Sequence, residues 1–313
     1  MGNARVLTEG AMFLAIFSIM LGVAIYVPFT AIVLQFVFLL PFLLFAAKHP
    51  IKYSLLFFML AFIISFFLGS VIGVTITLLY GVTGLIMGHG IQRNEAKGNI
   101  YVASSIGFLF SLLVLFVVAK LFFQFDVINE YQQMFKNTVN QYMDALTALG
   151  QTPSMELREQ LLEMGNLIGS MAPTVLASGA FITVLILIAV NFPIAKWLKV
   201  EVPRFKPFRN VTFPKVIVWI YLVVLLCSMF ITDDTSSFFQ MVILNAVFLL
   251  QILLMIQGFS FIFYYAHFKK WVKIIPIMAV IFMILLPFLL SIVRVLGIID
   301  IGFNLRQRLN HKM

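Results

Sequence analysis

Residues 51–91 read IKYSLLFFMLAFIISFFLGSVIGVTITLLYGVTGLIMGHGI, and Lys52 and His89 near the two ends are their only basic side chains. As one helix this stretch would measure about 60 Å at about 1.5 Å per residue, twice a hydrocarbon core of roughly 30 Å. It therefore predicts two membrane crossings, 51–69 and 71–91, divided at Gly69-Ser70. Gly69, Gly73, Thr77, Gly81, Gly84 and Gly88 recur mostly every four residues, which puts small side chains on one helical face. Such a face lets another helix backbone approach closely. Gly69, Gly73 and Gly81 are thus candidate partner-helix contacts, with packing inside the same bundle as the simpler reading.

The rest of the chain repeats this character. Of 313 residues, 62% are hydrophobic and 11% charged, and mean hydropathy is +1.08, far from the composition of water-soluble domains. Apolar runs fall at 9–27, 30–47, 51–69, 71–91, 100–124, 171–196, 215–231, 238–266 and 274–297. No alternation of apolar and polar residues suggests a transmembrane β-barrel. The fold class expected is all-α, a polytopic transmembrane helical bundle of about nine spans. Residues 1–197 would form a six-span unit and 198–313 three further spans after a basic connection.

Charge orients the stack. Lys48 and Lys52, then Arg93 and Lys97, then Lys196, Lys199, Arg204, Lys206, Arg209 and Lys215, then Lys269, Lys270 and Lys273 occupy alternate connections, thirteen of the 21 basic residues. The intervening connections are uncharged or acidic, as at Asp233 and Asp234. The positive-inside rule makes the basic set and the amino terminus cytoplasmic. Nine crossings then leave the basic tail with Arg306, Arg308 and Lys312 outside. Either the tail breaks the rule, or the last run turns back near Pro287.

Residues 126–168 are the one long polar insertion. Their acidic excess places them outside, and their periodicity predicts two amphipathic helices separated at Gly150-Gln151-Thr152-Pro153. Thr152 is the expected N-cap, with Pro153 at the first helical position. Ionisable groups within or beside spans are few. Glu9 and Arg294 lie near span ends, and Lys120, near the outer end of the fifth span, is the candidate for binding an anionic small-molecule ligand. The amides of Gln35, Asn191, Asn245, Gln251 and Gln257 are expected to hydrogen-bond between helices.

The four histidines are scattered and Cys227 is alone, so neither a metal site nor a disulfide is expected. Phosphate-binding loops and nucleophile elbows are absent, and no catalytic residue or cofactor is expected. The polybasic connection 196–215, interleaved with Trp197, Phe205, Phe208 and Phe213, suits anionic lipid headgroups rather than nucleic acid.

Gln257-Gly258-Phe259-Ser260 before Tyr264-Tyr265, and Leu296-Gly297-Ile298-Ile299-Asp300 before Phe303 and Arg306, look like the pattern of the YybS-like family of bacterial membrane proteins. The resemblance covers nearly the whole chain and implies a bacterial cell membrane, without an assigned activity. The first six spans are also distantly similar to the S components of energy-coupling-factor vitamin transporters. That likeness implies an outward ligand pocket and a contact between the first helix and a membrane protein partner, through Ala11 and Ala15. The external insertion and the three later spans depart from it. The expectation is a substrate-binding or transport-related membrane protein for a small molecule, with a non-transport membrane scaffold as the alternative.

Overall fold

A computed structural model describes residues 2–205, 207–231 and 237–310. Lys206, Asp233, Asp234 and Lys312, used above for charge placement, lie outside these residues. Among the described residues every regular element is helical, without a strand. Among the described residues five helical stretches are long and apolar enough to cross a membrane, Ala4–Tyr26, Lys97–Phe123, Ala172–Trp197, Ser237–Phe268 and the internally broken Ile51–Gln92. The chain divides into two compact units, one of residues 1–145 and 176–205, the other of residues 146–175 and 206–313.

The first unit begins with α1 (Gly2–Tyr26), followed by two short helices, α2 (Thr30–Leu34) and α3 (Leu40–Lys48). The expected span 30–47 is therefore broken over 35–39. Successive turns still bond, Val37 N–H to Leu34 C=O at 2.9 Å and Leu40 N–H to Val37 C=O at 2.9 Å, because hydrocarbon offers the backbone no other partner. Pro41 to Ala46 of α3 are all buried.

The quoted stretch forms α4 (Ile51–Ile76), a π-helical turn (Thr77–Gly81) and α5 (Val82–Gln92). It is not one long rod. Ser70 has φ 49° and ψ −131°, non-helical values inside α4. The hydroxyls of Ser65 and Thr77 hydrogen-bond, although twelve residues of straight helix would hold them about 18 Å apart. The chain folds back at Ser70, giving the two legs that length demanded.

Gly73 lets the two legs meet, and Gly84 and Gly88 seat the returning leg on α3. A Cβ on Gly73 would strike the Ser65 carbonyl, one on Gly84 the Leu39 carbonyl and the Phe42 side chain, and one on Gly88 Ala46 and the Leu43 carbonyl. Around α3 the rings interlock, Phe17 with Phe42 at 4.9 Å, Phe42 with Phe57 at 5.2 Å and Phe45 with Phe57 at 4.7 Å between centres. The unit is completed by α6 (Lys97–Phe123) and by parts of α7 (Val127–Ala148) and α9 (Ala172–Trp197).

The second unit contains α8 (Met155–Ser170), α10 (Val216–Ser228), α11 (Ser237–Phe268), α12 (Ile274–Leu285), α13 (Pro287–Phe303) and α14 (Leu305–Asn310). Gly150, at φ 80°, closes α7 with the paired bonds Gln151 N–H to Leu146 C=O and Gly150 N–H to Thr147 C=O, both 3.0 Å, a left-handed cap that favours glycine. The start of α8 corrects the sequence reading. Its N-cap is Ser154, whose Oγ accepts from Leu157 N–H at 3.2 Å, so Thr152 and Pro153 stay in the connection.

The larger correction concerns the ninth run. α12 and α13 meet at a bend of 119°, with Pro287 opening α13. Both ends of the pair lie beside the C-terminal third of α11. Trp271 N–H bonds to the Ala266 carbonyl just before α12 starts, and the Tyr264 hydroxyl donates to the Arg306 carbonyl just after α13 ends. A straight crossing would separate those ends by a bilayer thickness. The pair instead re-enters, so the basic tail returns to the end that holds Phe208 to Phe213. Of the two alternatives left by the sequence, this is the turn near Pro287.

Cysteines introduced singly at Leu309 and Asn210, with Cys227 replaced by alanine, should react with a membrane-impermeant maleimide from the same face of right-side-out vesicles. Opposite labelling would mean that the last pair crosses.

Candidate functional site

The densest buried polar cluster among the described residues lies in the second unit, on α11, α13, α14 and the segment 208–213. Asn304 takes a left-handed conformation, φ 50°, which stops α13 and turns the chain so that Arg306 reaches back to Asp300. Arg306 Nε and Nη2 each lie 2.9 Å from Asp300 Oδ2. Their side chains are 12% and 2% exposed. Gln257 Nε2 donates to the same Asp300 oxygen at 2.5 Å.

The remaining donors and acceptors pin a backbone segment. Arg306 Nη1 donates to the Arg209 carbonyl at 2.6 Å, and Phe213 N–H donates to Gln257 Oε1 at 3.0 Å. Ser260 Oγ receives Arg306 Nη2 at 3.1 Å. Its single proton can serve either the Phe208 carbonyl at 2.9 Å or the Val211 carbonyl at 2.8 Å. The guanidinium also lies 5.2 Å from the centre of the Tyr264 ring. Backbone contact lets the elements come this close, since a Cβ on Gly258 would strike the Val293 carbonyl and one on Gly297 the Leu254 carbonyl.

A buried ion pair rarely stabilises more than an apolar substitute, but removing one partner strands the other. Here the carboxylate is held by arginine and glutamine together, and the guanidinium also serves a carbonyl and a hydroxyl. The arrangement is one of fixation. It clamps the returning end of α13 to α11 and to the basic connection.

Residues 15–301 match the family described as "Predicted membrane protein (DUF2232)". The chain belongs to this family. It is also 26% identical over 309 residues to the "Uncharacterized protein YybS" of Bacillus subtilis strain 168, covering 98% of this chain and 99% of the relative. No solved structure matches. In this DUF2232 protein, five of the residues that carried the YybS-like resemblance, Gln257, Ser260, Tyr264, Asp300 and Arg306, meet in the clamp.

The other residues singled out by sequence fall elsewhere. Ala11 and Ala15 are exposed on α1, beside Met12 and Ile16 at 51% and 41% exposure, and remain open to a partner helix. Gly69, Gly73 and Gly81 face this chain's own atoms instead: Ile25, the Ser65 carbonyl, and Phe58 with Phe42. The helix their face admits is internal. Lys120 Nζ lies 3.1 Å from Asp126 Oδ2, beside a shallow recess of about 280 Å³. Asn191 Nδ2 donates to the Phe36 carbonyl at 2.7 Å in the broken span, and Thr174 Oγ1 to Asn245 Oδ1 at 2.7 Å, both between helices as expected. Gln35 stays within its own turn, on the Ile32 carbonyl.

Sequence reasoning missed two polar contacts of carboxylates, because each is assembled by the fold. Asp300 and Arg306 are six apart and meet only through the reversal at Asn304. Glu9 and His49 are forty residues apart and meet at 3.0 Å. A carboxylate inside the apolar run 296–303 was the available signal for the first.

Two outcomes follow. Asp300→Ala should destabilise the folded protein by about 3–5 kcal/mol, the usual cost of stranding a buried charge, whereas the double variant Asp300→Leu with Arg306→Leu should cost less than the sum of the single changes; heating followed by size-exclusion detection of the monodisperse protein measures both. Asp126 is held below the ordinary carboxylate range first by the Asn129 N–H and then by Lys120, against a smaller opposing effect of burial. Its stabilisation is complete above its unfolded pKa and lost as pH falls through the lower folded value. Lys120→Met should raise that pKa only part of the way in a carboxyl-carbon NMR titration, since the backbone bond persists.

Proposed function

We propose that this protein is a transport-related, small-molecule-binding membrane component without enzymatic activity of its own, set in a bacterial cell membrane with its amino terminus cytoplasmic. The observation that carries the reading is the re-entrant α12–α13 pair. Irregular backbone at membrane depth is costly unless protein or a water-filled cavity surrounds it, and transporters use such discontinuous helices to build substrate sites. The break at 35–39, with its Phe36 carbonyl held by Asn191, is a second instance in the first unit. The orientation rests on the distribution of basic residues, and the basic connection 196–215 lies, in this reading, against anionic headgroups.

Purified protein should carry a small molecule visible by native mass spectrometry, or gain thermal stability from a member of a panel of vitamins, nucleobases and metal chelates. An empty protein that no compound in the panel stabilises counts against the reading.

Exposure of Ala11 and Ala15 favours a second reading, an interaction protein that docks a partner helix on α1. Ala11→Leu with Ala15→Leu should then release a membrane protein that copurifies after gentle extraction, while the thermal midpoint stays unchanged. A complex that survives the double substitution argues against α1 as the docking face.

A further inference from the structure

We infer that the recess at the end of α9 binds a phosphate group, carried either by a lipid headgroup or by a soluble phosphate ester. The inference sharpens the headgroup reading of the basic connection and is independent of whether the protein transports anything. The recess belongs wholly to the first unit and encloses about 730 Å³, the size of an ordinary ligand site. Four cations line it, Lys97, Lys196, Lys199 and Arg204, against the single carboxylate of Glu201.

Local backbone chemistry shapes the recess. α9 ends in a left-handed cap at Lys199, φ 63°, with Val200 N–H bonded to the Ala195 carbonyl and Lys199 N–H to the Lys196 carbonyl, both 3.0 Å. That cap reverses the chain, so residues 200–205 run back beside the helix end. Tyr101 holds the far side. Its hydroxyl donates to the Phe181 carbonyl at 3.1 Å, and its ring meets Phe205 edge-on at 6.3 Å.

Lys97 is the residue that turns a basic stretch into a site. It comes from the start of α6, far from the connection in sequence, and its Nζ lies 4.7 Å from the Phe192 ring centre and 4.2 Å from that of Phe205. The two rings fix the ammonium in place. Among the described residues neither Lys97 nor Lys196, Lys199 or Arg204 makes an ion pair. Like charges gathered in one concavity repel and raise the local concentration of anions. Ammonium groups with an arginine suit the several charged oxygens of a phosphate. Trp197, 82% exposed beside Lys196, is the residue type that settles at the membrane–water boundary, where headgroup phosphates lie.

The test uses the full-length protein, Lys97→Gln, Lys97→Arg, Arg204→Gln and, as a control at another exposed cation, Lys52→Gln. Each is delipidated equally from membranes of phosphatidylcholine with phosphatidylglycerol, and retained lipid is counted by native mass spectrometry. Glycerol 3-phosphate and inorganic phosphate are then titrated against the same proteins in detergent, with the thermal midpoint as readout. The expected result is phosphatidylglycerol retained by the wild type, Lys52→Gln and Lys97→Arg, and reduced about ten-fold in Lys97→Gln and Arg204→Gln, the loss of one charge-assisted bond. Stabilisation by glycerol 3-phosphate with the same dependence on Lys97 and Arg204, without lipid retention, assigns the site to a soluble ester. Retention or stabilisation that falls equally with Lys52→Gln reflects general surface charge and overturns the inference, as does binding of neither probe. If Lys97→Gln fails to fold, the exposed Arg204→Gln decides the outcome by the same readouts.

Discussion

A polar group in hydrocarbon has no water to turn to, and among the described residues three departures from continuous helix are accompanied by an internal polar partner. The break after α2 is bridged by tight backbone turns and by the Asn191 amide on the Phe36 carbonyl. The reversal at Ser70 is accompanied by the hydroxyl pair of Ser65 and Thr77. The end of the re-entrant pair is held by Asp300, Arg306, Gln257 and Ser260 together.

The second constraint is packing. Apolar side chains gain little by leaving lipid for another apolar surface, so helices associate where small residues let backbones touch. The glycine face of α5 and the pair Gly258 and Gly297 meet this need in the two units separately. In the first unit that leaves the α1 face with Ala11 and Ala15 uncovered by the described helices of that unit. In the second it brings α13 near enough to α11 for Gln257 to reach Asp300.

These two constraints explain why the clamp and the basic recess differ in kind. In the clamp, each charge has a protein partner, and the group is buried and self-contained. In the recess, four cations stand around one carboxylate, and the strongest contacts of Lys97 are aromatic faces. A satisfied network holds structure, whereas an unsatisfied one with access to solvent or lipid is available to a ligand.

The sequence by itself determined the all-helical membrane class, the division of residues 51–91 at Gly69-Ser70 and the membership of the family, because hydropathy and helix length are local quantities that need no partner to be read. It also located the amides at 191, 245 and 257 as helix-to-helix donors, since a polar side chain in an apolar run must find a bond. Only the tertiary structure decided that residues 274–303 turn back, that the glycines of the fourth run serve this chain's own helices, and that Asp300 meets Arg306. Each of these depends on which surfaces meet. Nine apolar runs of similar length give one hydropathy profile whether the last crosses or returns; the difference lies in a reversal at Asn304 and a carboxylate that only the folded chain brings within reach of its arginine.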